Sequence, residues 1–152
     1  MKDATSFLPQ RPPLVLLSGF EESPELDEVT SFVDVTDSSP FFEREINAVP
    51  ACVALEYMAQ TMALLVGRKR AASKLPPQIG FVLGSRRLTV SIPGFAVHTR
   101  YAVKARCVYA DESFGSFDCE ILAPDGVRVA SATVTAYQPE GEMTQERLEA
   151  YG

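Results

Sequence analysis

From Val49 to Val66 almost every residue is apolar or small, and the exceptions are Glu56, Gln60 and Thr61. A helix that is apolar on all sides belongs inside its fold, so the rest of the chain has to wrap around it. An ionised carboxylate is costly in such a place unless it is paired or functional. Glu56 and Gln60 are four residues apart and share one face of a helix, where the amide can orient the carboxylate. Burial disfavours the charged form of a carboxyl, and a carboxyl that keeps its proton suits general acid work. The plainer alternative is a half-exposed residue at a helix edge, or a structural carboxylate holding nearby backbone. The run is too short and too charged at its end to span a membrane, which takes ~20 mostly apolar residues.

A length of 152 residues fits one domain with a real core. The net charge of −6 excludes a general nucleic-acid binder. Cys52, Cys107 and Cys119 have no metal-ligand spacing, and an odd count argues against a disulfide framework. A reducing cytosol fits that cysteine usage. Met1 to Pro9 carries no apolar signal segment, so a cytoplasmic protein is expected. No cofactor or metal is implied.

Residues 1–13 are rich in proline and read as an extended lead-in or a short turn. Leu14 to Phe20 reads as a strand and Glu21 to Asp27 as a solvated turn. Val29, Ser31, Val33 and Val35 alternate with Thr30, Phe32 and Asp34 in a second strand. A loop from Phe41 to Val49 leads into the apolar helix, with Pro50 in its first turn and an end near Gly67. Arg68, Lys69 and Arg70 follow at the negative end of its dipole. Strands are expected from Ile79 to Val90, bent at Gly84, then through Tyr101 to Tyr109, Phe117 to Ile121 and Val127 to Tyr137. In the second of these, Tyr101, Val103, Ala105, Cys107 and Tyr109 share a face. Pro124, Asp125 and Gly126 mark a hairpin. Residues 139–152 form a polar tail.

This order gives an α+β protein: two strands, one long central helix, then about four antiparallel strands, a curved sheet of about six in all. That layout is the hotdog fold. Pro50 to Gln60 resembles the active-site helix of the 3-hydroxyacyl-acyl-carrier-protein dehydratases, which carry Pro-Gly, a few apolar residues and then Glu-Ala-Met-Ala-Gln. Pro40-Phe41-Phe42 matches their lead into the active-site loop, and Leu8-Pro9-Gln10-Arg11 looks like their N-terminal Leu-Pro-His-Arg. The segments Gly80 to Arg86 and Phe114 to Glu120 look closer to a divergent branch, the predicted dehydratases of aryl-polyene-type clusters.

The resemblance implies that Glu56 is the acid of the reaction, oriented by Gln60. It implies that the amides of Ala51 and Cys52 at the helix start polarise the thioester oxygen. It also implies a base, and here the chain departs from the family. The loop from Glu43 to Val49 has no histidine, and Gln10 stands where the divergent branch has one. An amide has no basic lone pair and cannot remove a proton. The only histidine, His98, reads as a surface residue, and Glu45 as a solvated loop carboxylate. Cys52 reads either as a small buried residue or as a thiol activated by the helix start. The implied partners are an acyl carrier protein or acyl-CoA thioester and a second copy of the chain. Arg86 and Arg87, with Arg68 and Lys69, are the candidate docking cations, and capping of the helix end is an alternative for the latter two. Three functions stay open: a dehydratase with Glu56 as acid/base, a non-catalytic acyl-binding protein or partner subunit, and an acyl thioesterase.

Overall fold

The computed structural model describes residues 1–10, 12, 14–25, 27–76 and 80–137. Strands β1 (Gly19–Glu22), β2 (Glu28–Val35) and β3 (Ala48–Pro50) precede helix α1 (Ala54–Ala72). Five strands follow: β4 (Phe81–Val90), β5 (Gly94–Ala96), β6 (Thr99–Ala110), β7 (Phe114–Leu122) and β8 (Arg128–Tyr137). Six of them form one antiparallel sheet in the order β1-β2-β6-β7-β8-β4, and β3 pairs with β5 separately. The sheet packs its apolar face on α1, as the hotdog reading requires. No helix among the described residues is long and apolar enough to cross a membrane.

The alternation in β2 is reproduced, with Val29, Ser31, Val33 and Val35 buried. Ser31 is polar and fully enclosed, yet its Oγ lies 2.6 Å from the Thr61 hydroxyl on α1. Thr61 in turn donates to the Tyr57 carbonyl at 2.8 Å. The pair therefore pins helix to sheet through the core. Thr61→Val should cost about 1–3 kcal/mol, because it leaves a buried hydroxyl on Ser31 with a poorer partner. In urea denaturation, Thr61→Val combined with Ser31→Ala should be more stable than Thr61→Val alone.

Several boundaries differ from expectation for local reasons. Leu14 to Leu17 does not join the ladder, which Ser18 meets by donating its amide to the Phe32 carbonyl at 2.7 Å; the backbone of Leu14 and Leu16 meets the Gln60 side chain instead, as described below. Pro50 is extended and ends β3, and a single 3₁₀ turn, Ala51–Val53, separates it from α1. The helix runs past Gly67 to Ala72, where Lys74 turns left-handed (φ 58°) and Leu75 donates to the Arg70 carbonyl at 2.8 Å. Gly67 is not a cap but a point of close approach: a Cβ there would lie 1.9 Å from the Phe7 carbonyl oxygen. The lead-in is thus a docked segment, with a 3₁₀ turn at Thr5–Phe7 and reciprocal backbone bonds between Lys2 and Phe20. A register shift between Cys107 and Tyr109 turns Tyr109 outward, 60% exposed, against the sequence alternation. Bulges also interrupt β4 after Val82 and around Arg87, which takes a φ of 56°. The polar tail from residue 139 and the expected strand start at Ile79 lie outside the described residues.

Candidate active site

The site is organised by Gln60, which is 1% exposed. Its Oε1 accepts from the Leu16 amide at 2.9 Å, and its Nε2 donates to the Leu14 carbonyl at 2.8 Å. The carboxamide thereby takes the place of a neighbouring strand for that segment. The second Nε2 proton goes to Glu56 Oε1 at 3.1 Å, one helical turn back. Both amide protons and the carbonyl oxygen are engaged, so the group is fixed and the carboxylate next to it is held by a fixed donor.

Glu56 is exposed in the isolated chain, not buried as a helix apolar on all sides would require. Its stripe of α1, continuing through Ala59, Ala63 and Val66, is only partly covered by the sheet. The uncovered stripe borders a cavity of about 630 Å³ that runs between the helix and the β4 end of the sheet. Phe7 and Gln10 line it from the N-terminal segment, Met62 from the helix, and Cys107, Phe117 and Ala136 from the sheet. Glu56 and Gln10 therefore open onto one mostly apolar space, as their assignment to one site requires.

The other candidates separate. The Ala51 amide donates to the Pro93 carbonyl at 3.2 Å, so it is not free for a thioester oxygen. Cys52 follows it and is exposed, so its reading as a small buried residue does not hold. His98 is exposed with φ 59°, donates its amide to Val35, and does not line the cavity. Glu45 is exposed in its loop. Burial pushes the Tyr57 phenol up to about 12, aided by Tyr101, so the residue beside Glu56 is neutral at ordinary pH. The same cause pushes the Cys119 thiol up to about 12. Arg68 pairs with Glu22 at 3.1 Å and stacks on Phe20, and Lys69 pairs with Asp27 at 2.6 Å. These two cations hold β1 and its following turn against the helix. Among the described residues, no cluster of side chains could hold a metal ion.

A family model described as ApeP-like, ApeP dehydratase, matches residues 2–148. The chain belongs to the ApeP-like dehydratase family. No curated protein sequence gives a significant match. Among solved structures, the dehydratase heterocomplex ApeI:P from Xenorhabdus doucetiae contains a chain 27% identical, with a TM-score of 0.85 over 97% of this chain and 95% of that one. A hypothetical thioesterase protein with coenzyme A from Streptococcus pneumoniae TIGR4 is 16% identical, with a TM-score of 0.63 over 84% of this chain and 91% of that one. The PaaI protein of the phenylacetic acid degradation operon of E. coli is 14% identical, with a TM-score of 0.59 over 78% and 80%. At those identities the last two share the fold alone. The ApeP-like assignment makes this a dehydratase-like protein, in agreement with the reading of its helix motif. The feature that sequence reasoning missed is the backbone grip on Gln60. Its one signal was a lone amide in an apolar run facing a segment that follows two prolines.

Proposed function

We propose that this chain is one subunit of a 3-hydroxyacyl-thioester dehydratase of aryl-polyene-type lipid synthesis, with Glu56 as its acid–base carboxylate. The observation that carries the reading is Glu56, held by the immobile Gln60 amide on the edge of a mostly apolar cavity. In the elimination, a base takes a proton from the carbon next to the thioester carbonyl. The hydroxyl on the following carbon then leaves as water with a proton from Glu56, and a double bond remains. The Cys52 amide, among the first of the helical stretch and without an acceptor within it, is the donor suited to the developing oxyanion.

Among the described residues no histidine lines this cavity, and its carboxylates other than Glu56 are Asp111 and Glu112 in the exposed turn after β6, where Asp111 Oδ1 is held by the Ser113 and Phe114 amides at 2.9 and 2.8 Å. Gln10 is an amide, and Lys69 is tied to Asp27. The reading therefore takes the base from a second hotdog subunit that bears a histidine. Strand β4 offers the place for that subunit. It lies at the sheet edge, ten residues long, and exposes Val82, Leu83 and Leu88. A partner on this edge would also cover Glu56's open side and exclude water from the cavity. A cytoplasmic setting and an acyl-carrier substrate complete the reading.

Arg86 and Arg87 are exposed on the same strand and make no ion pair among the described residues. They suit an acidic carrier surface. Charge reversal at both should weaken carrier binding at low salt by roughly tenfold and flatten its salt dependence; unchanged binding would place the docking surface elsewhere.

The deciding assay follows double-bond formation on 3-hydroxyacyl-carrier substrates by mass spectrometry. The chain alone should turn over slowly, and addition of a histidine-bearing hotdog partner should raise the rate by roughly 10²–10⁴-fold, the usual contribution of one placed base. Gln10→His should raise the rate of the chain alone and add little to the pair. If the chain alone matches the pair, its base lies within the chain and the two-subunit reading fails.

A further inference from the structure

Strand β7 turns Gly115, Phe117, Cys119 and Ile121 toward the interior. Gly115 and Phe117 are two residues apart on that face, and the phenyl ring is laid back over the glycine. A Cβ at position 115 would lie 2.7 Å from Phe117 Cε2 and 3.1 Å from Cζ. Across the sheet, Gly115 stands in register with Ala110 of β6 and Ala136 of β8. Both alanines line the cavity, as do Gly115 and Phe117. The ring itself is 4% exposed. It lies flat because position 115 has no side chain. On the other side along β7, Cys119 and Ile121 are 4% and 0% exposed, and the interior there is full. A ring displaced from Gly115 therefore swings toward the helix and into the cavity.

We propose that Phe117, parked over Gly115, sets the length of acyl chain that the cavity accepts. The inference rests on the cavity being the acyl site. Parked, the ring is a wall; displaced, it becomes a plug that removes the space of the terminal methylenes. A hydrophobic pocket discriminates by about 10–200-fold for each methylene it cannot accommodate.

The test uses the full chain as wild type, Gly115→Ala, Phe117→Leu, Phe117→Ala and the double variants at both positions. Fluorescence of bound cis-parinaric acid is followed while straight-chain fatty acids from hexanoic to hexadecanoic displace it. Gly115→Ala should weaken the longest acids by at least about tenfold relative to the shortest. Phe117→Ala should shift the preference toward longer acids. In the double variant the methyl at 115 has no ring to displace, so the preference should follow Phe117→Ala alone, a non-additive cycle. Phe117→Leu with Gly115→Ala repeats the comparison should the alanine variant fold poorly. The inference is overturned if Gly115→Ala shifts the preference equally with and without the ring, or if all variants share the wild-type preference. Wild-type protein that binds no acid of any length gives a different pattern, which overturns the acyl-site reading together with this inference.

Discussion

Glu56→Gln should lower dehydration by roughly 10²–10⁴-fold in the complete enzyme while leaving the fold intact. The substitution keeps the size of the side chain and an oxygen that can accept from Gln60 Nε2, so the hydrogen bond at 3.1 Å survives. What it removes is the exchangeable proton. Because Glu56 is exposed in the isolated chain, no core packing depends on it, and the melting temperature should move little. Single-turnover measurement of double-bond formation, with carrier binding measured separately, distinguishes a lost proton donor from a lost binding contact. Equal turnover by wild type and Glu56→Gln would assign the chain a binding role within the family.

Gly67→Ala should destabilise the protein although alanine is the better helix former. By propensity alone the change stabilises a helix interior by about 1 kcal/mol. Here the added methyl would sit 1.9 Å from the Phe7 carbonyl oxygen and 2.9 Å from its carbon, both backbone atoms that cannot rotate aside. The 3₁₀ turn Thr5–Phe7 must then lift from α1, disturbing the edge-to-face contact of Phe7 with Phe20 at 5.8 Å. Overpacking of this kind costs about 1–3 kcal/mol. Set against the propensity gain, this leaves a net loss of up to about 2 kcal/mol, and at about 2–4 °C per kcal/mol for a chain near this size a fall of up to roughly 8 °C in melting temperature is expected. Phe7 is also a cavity wall, so acyl binding should weaken in parallel. A rise in melting temperature would mean that the N-terminal segment does not dock on Gly67 in solution.

The strands with strict alternation were readable because one side chain in two meets the core. β2, and β6 as far as Cys107, follow their patterns residue by residue. Alternation could not reveal the bulge that turns Tyr109 outward, since a bulge is a backbone event with no composition of its own. The helix was legible as apolar, but its open stripe was not. Ala59, Ala63 and Val66 look the same in sequence whether a sheet covers them or a cavity borders them. Gly67 read as a terminator because glycine often follows helices; only the path of the N-terminal segment reveals its other use. The Glu56–Gln60 contact was legible from spacing alone. The other partners of Gln60, 44 and 46 residues away, were not, because they are main-chain atoms that any residue supplies.

That last property bears on how the site can vary over time. The groups that fix Gln60 are the Leu16 amide and the Leu14 carbonyl, and neither depends on a leucine side chain. Drift at the exposed position 14, and among apolar residues at 16, whose side chain packs on the core, can exchange the side chains without removing these main-chain bonds, with a single exception. A proline at 16 has no N–H to give, and it is one nucleotide change away from several leucine codons. The hydrogen bonds that orient Gln60 toward Glu56 thus depend on the main chain of their supporting segment, and a proline at 16 is the replacement that removes one of them.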